Sequence, residues 1–167
     1  MSLQVYVAHK ISKNYYIKMT LNIFQQIAQV LLEKGNHKCL AKAADLNNDS
    51  VQSKSLHLRE LDLNSKDVIS IANVLQLDTN LTSISFSHNP IGDLGAVALA
   101  TSFPKSVREI GMEGCRIGDK GGGAILELAK STPSLQMICI AQNNFSATLN
   151  KEFHEFRKAR PNAMIVT

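Results

Sequence analysis

LTSISFSHNPIGDLGAVALATSF, Leu81–Phe103, is followed after three residues by VREIGMEGCRIGDKGGGAILELA, Val107–Ala129, and the two align position by position. Taking Leu81 as position 1, apolar residues fall at positions 1, 4 and 6 in both: Leu81, Ile84 and Phe86, then Val107, Ile110 and Met112. Positions 4 and 6 are two apart, so one side of a short strand points inward. Position 11 is apolar again (Ile91, Ile117), and Gly92-Asp93-x-Gly95 and Gly118-Asp119-x-Gly121 read as a turn with an acidic helix start. Spacing of i, i+3, i+4, i+7 then predicts a helix in each: Ala96, Leu99, Ala100 and Phe103, then Gly122, Ile125, Leu126 and Ala129. Each unit is strand, turn, helix, and none can bury its apolar side alone.

Working outward, LRELDLNSKDVISIANVLQ from Leu58 and LQMICIAQNNFSATLNKEF from Leu135 carry the same apolar positions, Leu58/Leu61/Leu63 and Leu135/Ile138/Ile140. Start-to-start distances become 23, 26 and 28 residues. Position 9 is Asn89, Cys115 and Asn143, side chains suited to satisfying backbone groups where the chain leaves the strand. In the first unit position 9 is Lys66 and the Gly-Asp turn is missing, which predicts a direct strand-to-helix connection. Its helix face is Val68, Ile71, Ala72 and Leu75.

The pattern LxxIxFxxNxIGDxGAxALA, from Leu81 to Ala100, resembles the ribonuclease-inhibitor type of leucine-rich repeat, shared by NOD-like receptors and the GTPase activator of Ran. The resemblance covers roughly residues 58–167. It implies a short right-handed α/β solenoid with parallel strands on the concave face, helices on the convex face, and a role in protein binding. Two further roles follow from resemblance alone: an effector that intracellular bacteria deliver into host cells, and a regulator of a GTPase. No loop arginine can be assigned as a finger for the latter.

On this register the chain divides into an N-terminal cap (1–57), repeats (58–146) and a C-terminal cap (147–167), in one continuous domain. Thr20 can cap a helix with Phe24, Ile27, Ala28 and Leu31 on one face and Gly35 at its end, and His37–Asp45 can add a second. Before it, VYVAHK and YYIKMT flank a candidate hairpin turn at Ile11–Asn14. Leu149, Phe153 and Phe156 predict a closing helix, and Met164–Val166 an edge strand.

Of 167 residues 44% are apolar, enough for a core, yet no apolar run approaches the roughly 18 residues of a membrane span. The MSLQVYVAHK start lacks the order of a secretory signal, and three cysteines without a CxxC pair fit reduced thiols, so a cytoplasmic location is expected, or host cytosol for an effector. The net charge of +4 is uneven. Residues 1–57 hold seven Lys/Arg against three Asp/Glu, residues 58–145 seven against nine, and residues 146–167 four against two. A mildly acidic repeat body between basic caps argues against nucleic-acid binding there. Lys10, Lys13 and Lys18 beside Tyr6, Tyr15 and Tyr16 leave a contact of the N-terminal third with membrane or nucleic acid as an alternative.

No cofactor, metal or catalytic set is expected. Gly114–Gly123 does not satisfy GxxxxGK[ST], Asp45–Ser50 lacks the Gly and Glu of a calcium loop, and the five histidines have no ligand spacing. The outward strand positions are the candidate contact surface for a protein partner, a basic one in view of the acidic residues, on a monomer. They read Glu60, Asp62 and Asn64; Ser83, Ser85 and Ser87; Glu109, Gly111 and Glu113; Met137, Cys139 and Ala141.

Overall fold

In the computed structural model, which describes residues 21–48, 53–77 and 80–167, five short parallel strands form one sheet in chain order. They are β1 (Ser55–His57), β2 (Ser83–Ser85), β3 (Glu109–Gly111), β4 (Met137–Cys139) and β5 (Met164–Val166). Helices α1 (Ile23–Lys34) and α2 (His37–Asn48) precede the sheet, while α3 (Ser65–Leu75), α4 (Gly92–Ala100), α5 (Asp119–Ser131) and α6 (Ala147–Ala159) connect its strands. The result is an α/β solenoid. Strands stack about 4.8 Å apart and helices need 8–10 Å, so the strand layer is the inner, concave side.

Parallel register aligns Leu56, Ile84, Ile110, Ile138 and Ile165, all buried. Leu58, Phe86, Met112 and Ile140 form a second buried row two residues on. At roughly 1.5–3 kcal/mol for each large apolar side chain removed from water, these stacked rows hold successive units together. The helix faces expected from spacing are buried on the other side: Val68, Ile71, Ala72 and Leu75 on α3, Gly122, Ile125, Leu126 and Ala129 on α5.

The register of the first unit differs from the sequence expectation. Its strand is Ser55–His57, so Leu56 and Leu58 hold positions 4 and 6, and Leu61 and Leu63 hold positions 9 and 11. Strand-to-strand distances are therefore 28, 26, 28 and 27 residues, and the 23-residue step disappears. The first strand also belongs to the array rather than to a cap ending at residue 57. A full turn joins β1 to α3, which Asn64 starts with a capping box: its side-chain Oδ1 accepts from Asp67 N, and Asp67 Oδ2 accepts from Asn64 N.

Residues 21–48 of the N-terminal cap are largely helical. Asn22, not Thr20, is the N-cap of α1, in a capping box with Gln25, and Gly35 ends the helix at φ 73°. Phe24, Ile27, Ala28 and Leu31 are buried as the spacing predicts, and Cys39, Ala43 and Leu46 of α2 join them. Lys34 reaches Asp67 at 3.0 Å, tying the cap to the first repeat helix. The expected hairpin around Ile11–Asn14, with Lys10, Lys13, Lys18 and Thr20, lies outside the described residues. At the other end, α6 buries Leu149 and Phe153, and Arg160 donates to the carbonyls of Ala129, Pro133 and Leu135, closing the C-terminus of α5.

Candidate functional site

The turns that follow the strands fix the surface beside them. Position 8 is left-handed in four successive units: Glu60 (φ 57°), His88 (60°), Gly114 (61°) and Gln142 (57°). Beyond it the units alternate. Asn89 Oδ1 accepts from Leu61 N at 2.9 Å and Leu63 N at 3.0 Å, while its Nδ2 donates to Leu58 O and Phe86 O, both at 2.7 Å. Asn143 repeats this toward the unit before it, accepting from Cys115 N and Ile117 N at 3.0 Å and donating to Met112 O and Ile140 O. Each Asn thus serves its own strand end and the preceding turn.

Cys115 is the odd member. It occupies the same repeat position, but its thiol is a weak donor, 3.3 Å from Phe86 O. Burial pushes its pKa up to about 11, so the thiol stays protonated at neutral pH. Asp93 and Asp119 also act between units. Asp93 Oδ1 accepts from Gly118 N at 2.7 Å and Gly121 N at 2.9 Å, and Asp119 Oδ1 accepts from Ser146 N at 2.8 Å. The Gly-Asp motif therefore caps the helix of the next unit rather than its own.

These contacts leave the outward strand positions as the functional candidates. One row reads Ser55, Ser83, Glu109, Met137 and Met164; the next reads His57, Ser85, Gly111, Cys139 and Val166. Ser83, Ser85, Glu109, Gly111, Met137 and Cys139 stand where the sequence places them. Glu60, Asp62 and Asn64 do not: five residues of register shift put Glu60 and Asp62 in the left-handed turn and Asn64 at the helix cap. Ser55 and His57 take their place, with His57 Nε2 3.4 Å from Ser83 Oγ. Ser87 is only 2% exposed, its Oγ accepting from Glu113 N, so it is part of the frame rather than an accessible contact.

The two ends of this surface differ in chemistry. Serines and His57 occupy β1 and β2, Glu109 and Glu113 the middle, and Met137, Cys139, Met164 and Val166 the far end. Met164 is 59% exposed, Val166 40% and Met137 37%. The sequence reading missed Met164 and Val166 as surface residues, although their alternation with Ile165 carries the signal. Cys139 Sγ lies 3.8 Å from Glu113 Oε2, and partial burial, then that carboxylate, raise its pKa. Gly111 has no side chain because Ser85 and Ser87 fill the space beside it: a Cβ there would meet Ser85 Oγ at 2.8 Å and Ser87 Oγ at 3.2 Å.

Against known proteins, the family model described as Leucine Rich repeat matches residues 78–100 and 105–126. No curated protein matches the chain. Among solved structures it is similar to leiomodin-1 actin-binding site 2, with a TM-score of 0.59, 15% identity and 72% of each chain covered. At that identity the likeness carries the fold alone, an α/β solenoid, within which residues 78–100 and 105–126 match leucine-rich repeats.

Proposed function

We propose that this leucine-rich repeat chain is a non-enzymatic protein-interaction module of the ribonuclease-inhibitor type that holds a protein partner on its concave face. The observation that carries the proposal is the division of labour among its polar side chains. Asn89, Asn143, Asp93 and Asp119 are engaged in bonds between units, and Cys39 and Cys115 are buried thiols. The outward side chains of β1–β5 stand in ordered rows, fixed by register and by the turns behind them. Rigid display of side chains from several strands is what a binding surface needs, because little ordering entropy is lost on association. A similar fold in leiomodin-1 serves as an actin-binding site, a precedent for protein binding by this scaffold. We place the chain, as a monomer, in a reducing compartment such as the cytosol, where its three free thiols persist.

Quantitative affinity capture from candidate cytosols tests the proposal. The full chain is compared with a concave variant (Ser85→Arg, Glu109→Lys) and a convex variant (Leu94→Arg, Ile69→Arg). Proteins whose recovery falls with the concave changes and holds with the convex ones support it. Equal recovery with all three chains sinks it.

A further inference from the structure

We propose that the concave face takes a flexible protein segment in which a Lys or Arg lies two or three residues from a large aliphatic or aromatic side chain. The cation sits over Glu109 and Glu113, and the apolar side chain sits on the Met137–Met164 end. The inference rests on the concave-face reading and names the partner chemistry that such a face would select.

Register places the apolar end as a block. Met137 pairs with Met164 and Cys139 with Val166, so four apolar side chains share one face across two adjacent strands. Three of them are among the exposed large hydrophobic residues of the described chain. A contiguous apolar patch bordered by polar groups is the anatomy of a contact surface, and methionine, flexible and polarizable, adapts to varied apolar partners.

The acidic residues border this block directly. Glu109 pairs with Met137 across β3–β4, and Glu113 Oε2 lies against the Cys139 thiol. Among the described residues neither carboxylate takes part in an ion pair. The Cys139 pKa is raised by burial first and by the Glu113 carboxylate second, with the charge of Arg59 opposing. A cation brought to this border is attracted by both negative charges, one in each row, and an anionic segment is repelled.

Geometry sets the spacing. Neighbouring strands lie about 4.8 Å apart, so Glu109 and the Met164 side chain are separated by about two such steps. An extended segment advances roughly 3.3 Å per residue, which puts the matching residues two or three apart. A second copy docked symmetrically through the same patch would oppose Glu109 and Glu113 to themselves, which disfavours that occupant.

Selection of a displayed library of random linear peptides on the full chain tests this, with the winners resynthesised for titration. The expected winners share a Lys/Arg and a Leu, Ile, Met or Phe at the stated spacing. Glu109→Lys with Glu113→Lys, and separately Met137→Gln with Met164→Gln, should each weaken their binding about tenfold or more. Leu94→Arg, on the exposed side of α4, should leave it unchanged, and thermal melts report that each variant is folded. Winners of other composition that the concave changes still abolish overturn the inference but leave the concave-face reading standing. Winners indifferent to every concave change overturn both. No enrichment, or concentration-dependent self-association lost in the Met variant, overturns the inference.

Discussion

The turn after β1 and the turn after β2 occupy the same place in successive units, yet they are built differently. After β1, position 9 is Leu61, position 10 is Asp62 at φ 58°, and the amides of Leu61 and Leu63 are bonded by Asn89 from the next unit. After β2, position 9 is Asn89 itself, position 10 is Pro90, and the amide of Ile91 turns back to Asn89 O at 2.7 Å. Proline, with φ locked near −65°, forbids the left-handed conformation that Asp62 takes. The turn after β3 repeats the first kind, with Cys115 and Arg116 at φ 57°, and Asn143 again supplies the bonds. The structural repeat is therefore two units long. An asparagine joins the first unit to the second and the third to the fourth, whereas Asp93, Cys115 and Ser87 join the second to the third.

Removing an asparagine clamp should break this comparison hardest. Asn89→Leu leaves the amides of Leu61 and Leu63 and the carbonyl of Leu58 without their partner in the interior, with only the Cys115 thiol left on Phe86 O, and each orphan costs about 1–3 kcal/mol. A loss of about 4 kcal/mol or more is expected in urea unfolding. Asn143→Leu makes the same cut at a half-buried site and should cost less. The seam between the second and third units yields to overpacking instead. A Cβ at Gly121 would meet Ile117 Cγ2 at 2.6 Å and Asp93 Oδ1 at 2.8 Å, so Gly121→Ala should cost about 2 kcal/mol.

Cys115→Asn sharpens the contrast. If all turns were equivalent, an asparagine here would restore a missing clamp and stabilise the chain. In the structure the Ile91 amide is already engaged, so the new amide lacks one of the donors that Asn89 and Asn143 receive. The expected result is a loss of about 1–2 kcal/mol. A gain would show that Cys115 merely weakens a uniform ladder.

Much of this was legible where two units could be aligned. Ile84 and Ile110, the buried faces of α3 and α5, and the closing helix and strand all follow from periodicity. The first unit misleads because Leu56-x-Leu58-x-x-Leu61-x-Leu63 fits the strand spacing twice, once from Leu56 and once from Leu58. Position 1 favours the wrong frame, Leu58 over Ser53, and position 9 the right one, since a buried Leu61 suits it where Lys66 does not. That slip moved Glu60, Asp62 and Asn64 onto a face that Ser55 and His57 occupy. The alternation was harder to read, since Gly92-Asp93 and Gly118-Asp119 look identical. Gly92 lies at φ 59° inside the first turn of α4, while Gly118 is the N-cap of α5 at φ −98°. The difference is set by bonds from neighbouring units, which no single unit displays.

The two aspartates of those motifs offer the finest test of the comparison, because Asp93 receives two amides and the exposed Asp119 one. The Ser146 backbone amide, aided by its hydroxyl, holds the Asp119 carboxyl below its ordinary value. A depressed carboxylate stabilises the fold above its unfolded pKa, about 3.9, and that contribution is lost as pH falls through the lower folded value. Asp119→Asn retains an oxygen acceptor and loses the charge. The shift in urea midpoint between wild type and Asp119→Asn should therefore be small, constant from neutral pH down to about 5, and should vanish as pH falls through the lowered folded value. Asp93→Asn should give the larger shift at neutral pH, since Gly118 and Gly121 both lose a charged acceptor at a half-buried seam. Equal shifts for the two variants would mean that the seam between the second and third units is no more dependent on its aspartate than the one that follows.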